Sequence, residues 1–297
     1  MTNFTKYKYF NQMGIDNPIE LQNRLKDIKH VALDMDGTIY NGKTLFPFTI
    51  SFLNKLKEMD ISYSFLTNNP SRSTNDYLTH LRRMGISATE DEIYTSAQAT
   101  IEYLKCHYPE VKRLFILGTP SMIREFENAG YKPTEDDADD HPDAVVVGFD
   151  MSLTYSRLCR AAWWIGQGLP YIATNPDKVC PTDQPTTLVD CGSICSCLNE
   201  ATGRTPNAVA GKPDPRMLDG ILQKYKLQAS QVAMVGDRLY TDLKMALDSK
   251  ALGVLVLTGE SSLEDVNNST FRPDIIADDL ELFGEMLLES KKQILLI

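Results

Sequence analysis

The chain of 297 residues has no apolar run long enough to span a bilayer, and the stretch from Met1 to Gly14 lacks the apolar core of a secretion signal. A membrane-spanning protein is therefore not expected, and a cytoplasmic one is. Basic residues are not in excess, since 30 Lys and Arg stand against 40 Asp and Glu for a net charge of −10. That balance argues against a general nucleic-acid binder and against a protein held on anionic membranes, both of which need basic surface. Any attraction for an anionic substrate must be local. The six cysteines, Cys106, Cys159, Cys180, Cys191, Cys195 and Cys197, show no paired C-x-x-C spacing, and a chain of this size needs no disulfide framework. They read as reduced thiols. The Cys191, Cys195, Cys197 cluster has no His nearby and is expected to be buried thiols on a helix rather than a metal site. The four histidines, His30, His80, His107 and His141, are scattered and fit no catalytic spacing. Internal repeats and low-complexity tracts are absent, and the acidic run Glu135 to Asp140 has no recognisable metal-ligand spacing and reads as a solvated loop.

What is present, 42% hydrophobic and 24% charged residues, is the composition of a globular protein with a sizeable core, arranged as one large domain or two ordinary ones. The organising stretch is Val31-Ala32-Leu33-Asp34-Met35-Asp36-Gly37-Thr38, a short apolar run that ends in two carboxylates and a glycine. Such a run fits a strand buried on both faces of a parallel sheet, with Asp34 at its carboxyl end, the edge where open α/β sheets bind ligands. Gly37 permits a sharp turn and Thr38 adds a hydroxyl.

The rest of the chain alternates. A lead-in helix is expected around Glu20 to Asp27. A helix over Phe46 to Met59 places Phe48, Phe52, Leu53, Leu56 and Met59 on one face, and Ile61 to Leu66 is a second strand ending in Thr67-Asn68-Asn69-Pro70. A strand, helix, strand order implies a parallel pair, so both strand tips face one crevice. A further helix through Leu78, Leu81 and Met84 stops at Gly85. From Ser87 to Pro206 the alternation restarts, with strands Arg113 to Leu117, Ala144 to Gly148 and Tyr171 to Ala173 and helices Ala97 to Cys106, Pro120 to Ala129 and Tyr155 to Gln167. This segment reads as an inserted domain. On the Tyr155 helix, Trp163 and Trp164 could stack on an aromatic substrate, but beside Ile165 they read as core. The chain then returns with Gly211-Lys212-Pro213, a helix Arg216 to Tyr225, strand Val232 to Val235, the loop Gly236-Asp237 to Thr241-Asp242, helix Asp242 to Leu247, and strands Gly253 to Leu257 and Asp274 to Ala277 separated by a polar loop. A last helix runs toward Lys291. The expected architecture is a Rossmann-like, doubly wound α/β core from 1–86 and 207–297, carrying an α/β domain at 87–206.

Asp34, Asp36, Thr67, Lys212, Asp237 and Asp242 all fall at strand ends of that core. Phosphoryl transfer needs a positioned nucleophile, a divalent cation, a further positive charge on the phosphate, and a group to manage the leaving-group proton. Several carboxylates in one site repel unless a hard cation lies between them, and Mg²⁺ takes oxygen ligands, so Mg²⁺ is expected at Asp34 and Asp237. A lysine beside them can hold a phosphate as a point charge.

Asp34-Met35-Asp36-Gly37-Thr38, Thr67-Asn68-Asn69, Lys212 and Gly236-Asp237 with Thr241-Asp242 resemble, in order and separation, the four motifs of the haloacid dehalogenase superfamily of phosphatases. The insert of about 120 residues is similar to the α/β cap of its NagD-like, p-nitrophenyl phosphatase branch, as are Thr174-Asn175-Pro176-Asp177 and Gly192-Ser193. The resemblance, which covers the chain from about His30 onward, implies Asp34 as the nucleophile that forms an aspartyl-phosphate and Asp36 as the acid/base. It implies Mg²⁺ held by the Asp34 side chain, the Asp36 carbonyl and the Asp237 side chain, with Asp242 orienting water or Lys212. Thr67, Asn68 and Asn69 would hold the phosphate beside Lys212, and Asn175 and Asp177 would lie near the leaving group. Dehalogenases of the superfamily lack a carboxylate where Asp36 stands, so its presence points to phosphoryl transfer. Branch members that hydrolyse pyridoxal phosphate carry a His shortly after the stretch matching Thr174 to Asp177, a neighbourhood that here has Cys180, which argues against that substrate. The expected partner is a small phosphorylated metabolite, with a homodimer through the cap kept open. A phosphomutase and a phospho-acceptor receiver module are the rival readings; the receiver suffers because Asp36 lies two residues beyond Asp34 and because a domain is inserted.

Overall fold

The computed structural model describes residues 4–180, 182 and 184–292. The chain builds two compact units. One takes the residues up to Leu66, Met84–Ile86 and the chain from Leu218 on; the other takes Thr67–Arg83 and Ser87–Met217.

In the first unit parallel strands lie side by side in the order Ile275–Ala277, Leu252–Val256, Val232–Gly236, His30–Asp34 and Ser62–Thr67. His30–Asp34 is flanked on both sides and buried at every position, which is why it reads as an unbroken apolar run. The chain moves from this strand to Ser62–Thr67 on one side, then returns to Val232–Gly236 on the other. That reversal is the topological switch point of the sheet, and Leu33 lies opposite Val235, so Asp34 and Asp237 emerge level with each other there.

Helix Pro18–Asp27 begins two residues before the expected stretch because Asn17 caps it, its side chain accepting from the amides of Ile19 (2.9 Å) and Glu20. The helix expected over Phe46 to Met59 covers Thr49–Glu58 and buries Phe52, Leu53 and Leu56; its start is fixed where the Thr49 hydroxyl donates to the Ile39 carbonyl at 2.7 Å. Phe52 packs on Phe283 of the last helix, Leu280–Lys292. The N-terminal segment is tied to the same end of the chain, with the Tyr7 hydroxyl donating to Glu289 (2.7 Å) and the Gly14 amide to the Pro273 carbonyl (2.6 Å). His30 is fully enclosed, 2.7 Å from the Ser62 hydroxyl and against the Tyr225 ring, and burial pushes its pKa down to about 4.

The second unit has its own parallel sheet, in the order Ala208–Val209, Tyr171–Ala173, Ala144–Val147, Arg113–Leu117 and Lys132–Pro133. Alternate residues of its strands serve opposite faces. Phe115, Leu117, Val145 and Val147 pack with Trp164, Ile165, Ile194 and Leu198, whereas Leu114, Ile116, Ala144 and Val146 pack with Ile101, Leu104, Met122 and Phe126. This unit includes 67–83 and 207–217 as well as the inserted segment: the Thr119 hydroxyl donates to Ser71 (2.7 Å) and the Thr74 amide to Glu125 (2.6 Å).

Two expectations are divided by helix geometry. Trp164 is core, 4% exposed, while its neighbour Trp163 is 54% exposed, because adjacent helical residues point about 100° apart. Likewise Cys191 and Cys195, four apart, are buried with sulfurs 3.8 Å from each other, but Cys197 is exposed, which corrects the reading of three buried thiols. All six cysteines are free thiols. Among the described residues no helix is long and apolar enough to cross a membrane.

Candidate active site

The first unit gathers carboxylates at the switch point. Asp34 ends its strand, Asp237 follows Val232–Gly236 directly, and Asp242 lies in the π-helical turn Leu239–Leu243; one oxygen from each lies within 4.8 Å of the others. All three are buried, at 8%, 2% and 0% exposure. The turn after Asp34 is closed by backbone bonds from Gly37 to the Tyr40 carbonyl (2.8 Å) and from Ile39 to the Met35 carbonyl (3.0 Å). The Thr38 hydroxyl reaches Asp34 at 3.3 Å, and Asp36, partly exposed, accepts from the Tyr40 hydroxyl at 3.4 Å. Gly37 is required twice over: its φ is +87°, and a Cβ there would lie 2.4 Å from the Asp237 carboxylate.

Three like charges out of water are costly. Burial first, then Asp34 and then Asp242, push the pKa of Asp237 up to about 8, against the opposing pull of Arg238 and the Glu260 amide. Asp237 Oδ1 is also buried without a hydrogen-bond partner, a rare condition for an ionisable atom. A hard divalent cation removes both problems, since it supplies positive charge and takes carboxylate oxygen. The residues present therefore fit such an ion.

The remaining residues singled out from the sequence lie in the second unit, and Asn68, Asn175, Asp177 and Lys212 form one buried hydrogen-bonded array there. Asn68 is its centre: Oδ1 accepts from the Lys212 amide (2.7 Å), while Nδ2 donates to the Lys212 carbonyl (3.0 Å) and to Asp177 (2.9 Å). Asn175, fully buried, donates to Asp177 (3.3 Å) and to Asp190 (3.2 Å), and accepts from the Thr174 hydroxyl (2.8 Å). Asp190 in turn caps helix Cys191–Thr202. Thr67 accepts from the Asn69 amide at 3.1 Å, and the Asn69 carbonyl accepts from the Tyr77 hydroxyl at 2.8 Å. Lys212 is only 2% exposed. Asn175 and Asp177, read from the sequence as leaving-group contacts, make their hydrogen bonds to Asn68 and Asp190.

Sequence reasoning passed over Thr258 to Ser261, taken as the start of a polar loop. The Glu260 amide donates to Asp237 Oδ2 at 2.7 Å, the Ser261 amide to the Asp237 carbonyl at 3.0 Å, and the Thr258 hydroxyl to the Gly37 carbonyl at 2.5 Å. A Cβ on Gly259 would fall 1.9 Å from Asp237. The available signal was a Thr-Gly-Glu stretch just beyond a buried strand, on the edge where Asp34 and Asp237 already lie.

Comparison with known proteins agrees with this geometry. A family model described as haloacid dehalogenase-like hydrolase matches residues 31–132, and a second, HAD-hydrolase-like, matches 209–282. The chain is 32% identical over 249 residues to the ribonucleotide monophosphatase NagD of Escherichia coli K12, covering 84% of this chain and 95% of that protein. The solved 4-nitrophenylphosphatase of Thermotoga maritima is 38% identical with a TM-score of 0.83, covering 88% of this chain and 98% of its own. The glycerol phosphate phosphatase of Mycobacterium tuberculosis, solved with magnesium, is 32% identical with a TM-score of 0.79, covering 87% and 78%; it is also solved with calcium. With both halves of its catalytic signature matched and a relative covered over nearly its full length, the chain belongs to the haloacid dehalogenase-like hydrolases.

Proposed function

We propose that this enzyme hydrolyses small phosphate monoesters with Mg²⁺ through an aspartyl-phosphate on Asp34, with Asp36 as acid and base. The chain is a phosphatase, as its relatives named above are. The observation that carries the site assignment is the buried trio Asp34, Asp237 and Asp242, a set of hard oxygen donors of like charge, with Asp237 Oδ1 buried and without a hydrogen-bond partner. Mg²⁺ held by Asp34, Asp237 and the Asp36 carbonyl would neutralise phosphate oxygens and the site's own negative charge. An Asp34 oxygen attacks phosphorus and the ester P–O bond breaks. The Asp36 carboxyl gives its proton to the leaving oxygen. Asp36, now a carboxylate, takes a proton from water as the water oxygen attacks phosphorus, which frees Asp34 and inorganic phosphate. Asp242 orients the groups around it. Thr67, Asn68, Asn69 and Lys212 serve the phosphoryl group, and Asn175 and Asp177 support them by holding Asn68.

Substrate choice falls to residues 87–206 acting as a cap, since groups that contact only the phosphoryl moiety cannot discriminate. A cytoplasmic setting suits six free thiols. A homodimer through the cap would draw on apolar side chains exposed there, such as Met151, Tyr155 and Trp163, and light scattering tests it. The central test is rapid acid quench after mixing with ³²P-labelled monoesters and Mg²⁺. Label should appear on the protein and be absent from Asp34→Asn; phosphate release with no labelled protein would overturn the covalent route. A panel of sugar phosphates, nucleoside monophosphates, phosphoglycolate and pyridoxal phosphate then identifies the substrate.

A further inference from the structure

Thr258 to Ser261 leave strand Leu252–Val256 and cross the end of the sheet where Asp34 and Asp237 lie. We propose that this turn is a clamp that aims Asp237 at the cation, and that Glu260 is its positioning residue. The inference rests on the metal assignment made above.

A carboxylate on a single side-chain stem can rotate, and a metal ligand must be prevented from doing so. Here the Glu260 amide takes Asp237 Oδ2 at 2.7 Å, which leaves Oδ1 as the oxygen without a hydrogen-bond partner. The Ser261 amide fixes the Asp237 carbonyl (3.0 Å), and the Ser261 hydroxyl accepts from the Leu239 amide (3.1 Å). Only glycine at 259 lets the turn come this close, because a Cβ would overlap Asp237. The Thr258 hydroxyl also donates to the Gly37 carbonyl at 2.5 Å, so the same four residues brace the loop that carries Asp36.

The side chain of Glu260 closes the clamp from outside. One oxygen meets Arg238 Nε at 2.9 Å and the other accepts from the Tyr240 hydroxyl at 2.8 Å. Both partners belong to the segment that begins at Asp237. Residues 237–240 and 259–261 are thus joined by three backbone amides inside and an ion pair and a phenol bond outside, and the Glu260 amide can leave Asp237 only if the outer clasp opens. Glu260 is 44% exposed at its side chain, where an ion pair contributes little to stability, so the clasp acts on geometry.

The test is calorimetric titration of Mg²⁺ alone into the full-length, metal-free protein, repeated with Mn²⁺ by electron paramagnetic resonance. Loss of a group that orients a metal ligand typically weakens metal binding by about 10–100-fold. Glu260 acts through its backbone, so Glu260→Ala should weaken Mg²⁺ binding at the lower end of that range, by about tenfold, with an unchanged circular dichroism spectrum. Glu260→Asp separates clasp from charge: it keeps the carboxylate but is one methylene short of both partners, and should lose about as much as Glu260→Ala. Tyr240→Phe removes the phenol bond to Glu260 and should cost about two- to threefold. Binding by Glu260→Asp within twofold of the parent while Glu260→Ala is weakened would show that charge alone acts, and overturns the clamp. Binding within twofold by all three variants overturns it as well. A parent protein that binds neither ion would remove the metal assignment itself, and the clamp with it.

Discussion

In the first unit, Asp34, Asp237 and Asp242 are buried facing one another, and burial first, with repulsion from Asp34 and Asp242 added to it, pushes the pKa of Asp237 up to about 8. In the second unit, an equally buried set centred on Asn68 alternates donors and acceptors among Asn68, Asn175, Asp177, Asp190 and the Lys212 backbone. Both clusters are polar and closed to water, yet they do opposite work. The amide network is hydrogen-bonded within its unit and stiffens that unit. The carboxylate trio sets three oxygens of like charge close together, an arrangement that a cation would offset.

The largest effect tests the reactive cluster. Asp34→Asn should lower phosphate release by at least about 10³-fold, because the amide keeps the shape and cannot attack phosphorus. The same change removes one of three like charges, so the metal-free variant should melt above the parent; a lower melting temperature would show that the trio is not repulsive.

Next comes the cluster around Asn68. Asn68→Ala strands the Lys212 amide and carbonyl together with Asp177, and should destabilise the protein by about 2–4 kcal/mol in denaturant unfolding. A loss below about 1 kcal/mol would mean that this network is not the rigid element described here. Asp177→Asn keeps the volume and removes the charged acceptor, so about 1–2 kcal/mol is expected. Its effect on turnover should be similar across phosphate monoesters, since Asp177 holds Asn68; a changed order of substrates would place it at the leaving group instead.

The smallest effect is a pH dependence. The pKa of Asp237 is raised in the folded, metal-free protein, so the folded state binds the proton more tightly than the unfolded chain does, and stability is lost as pH rises from about 4 through about 8. Mg²⁺ relieves that loss. The rise in melting temperature on adding Mg²⁺ should therefore be larger at pH 8.5 than at pH 5.5, by several degrees at roughly 2–4 °C per kcal/mol for units of this size. An equal rise at both values would mean that Asp237 is not strained by its neighbours.

Much of the fold was legible because the long strands are buried on both faces and the helices carry one apolar face. His30–Asp34, Arg113–Leu117, Tyr171–Ala173 and Val232–Gly236 lie within a residue of their expected positions. The two-residue strands, such as Lys132–Pro133 and Ala208–Val209, were not expected, since so short a strand has no periodicity and exists only through its partner. Helix Leu263–Asn268 was missed for a similar reason: its start is set by the Ser262 capping box, and its polar composition reads as loop. The turn at Leu239–Leu243 replaces the start of the helix expected from Asp242, which begins instead at Lys244.

By itself the sequence determined which residue types end the central strands, where the chain must turn on glycine, and which faces are apolar, because these depend on neighbours a few residues away. Only the tertiary structure decided that Asp34, Asp237 and Asp242 come within one ion's reach, that the Gly259 turn closes on Asp237, and that Asp177 accepts from both Asn68 and Asn175. The reason is physical. Burial and charge repulsion depend on what surrounds a side chain in space, and for these groups the decisive neighbours are distant in the chain, more than two hundred residues away in the case of Asp34 and Asp237.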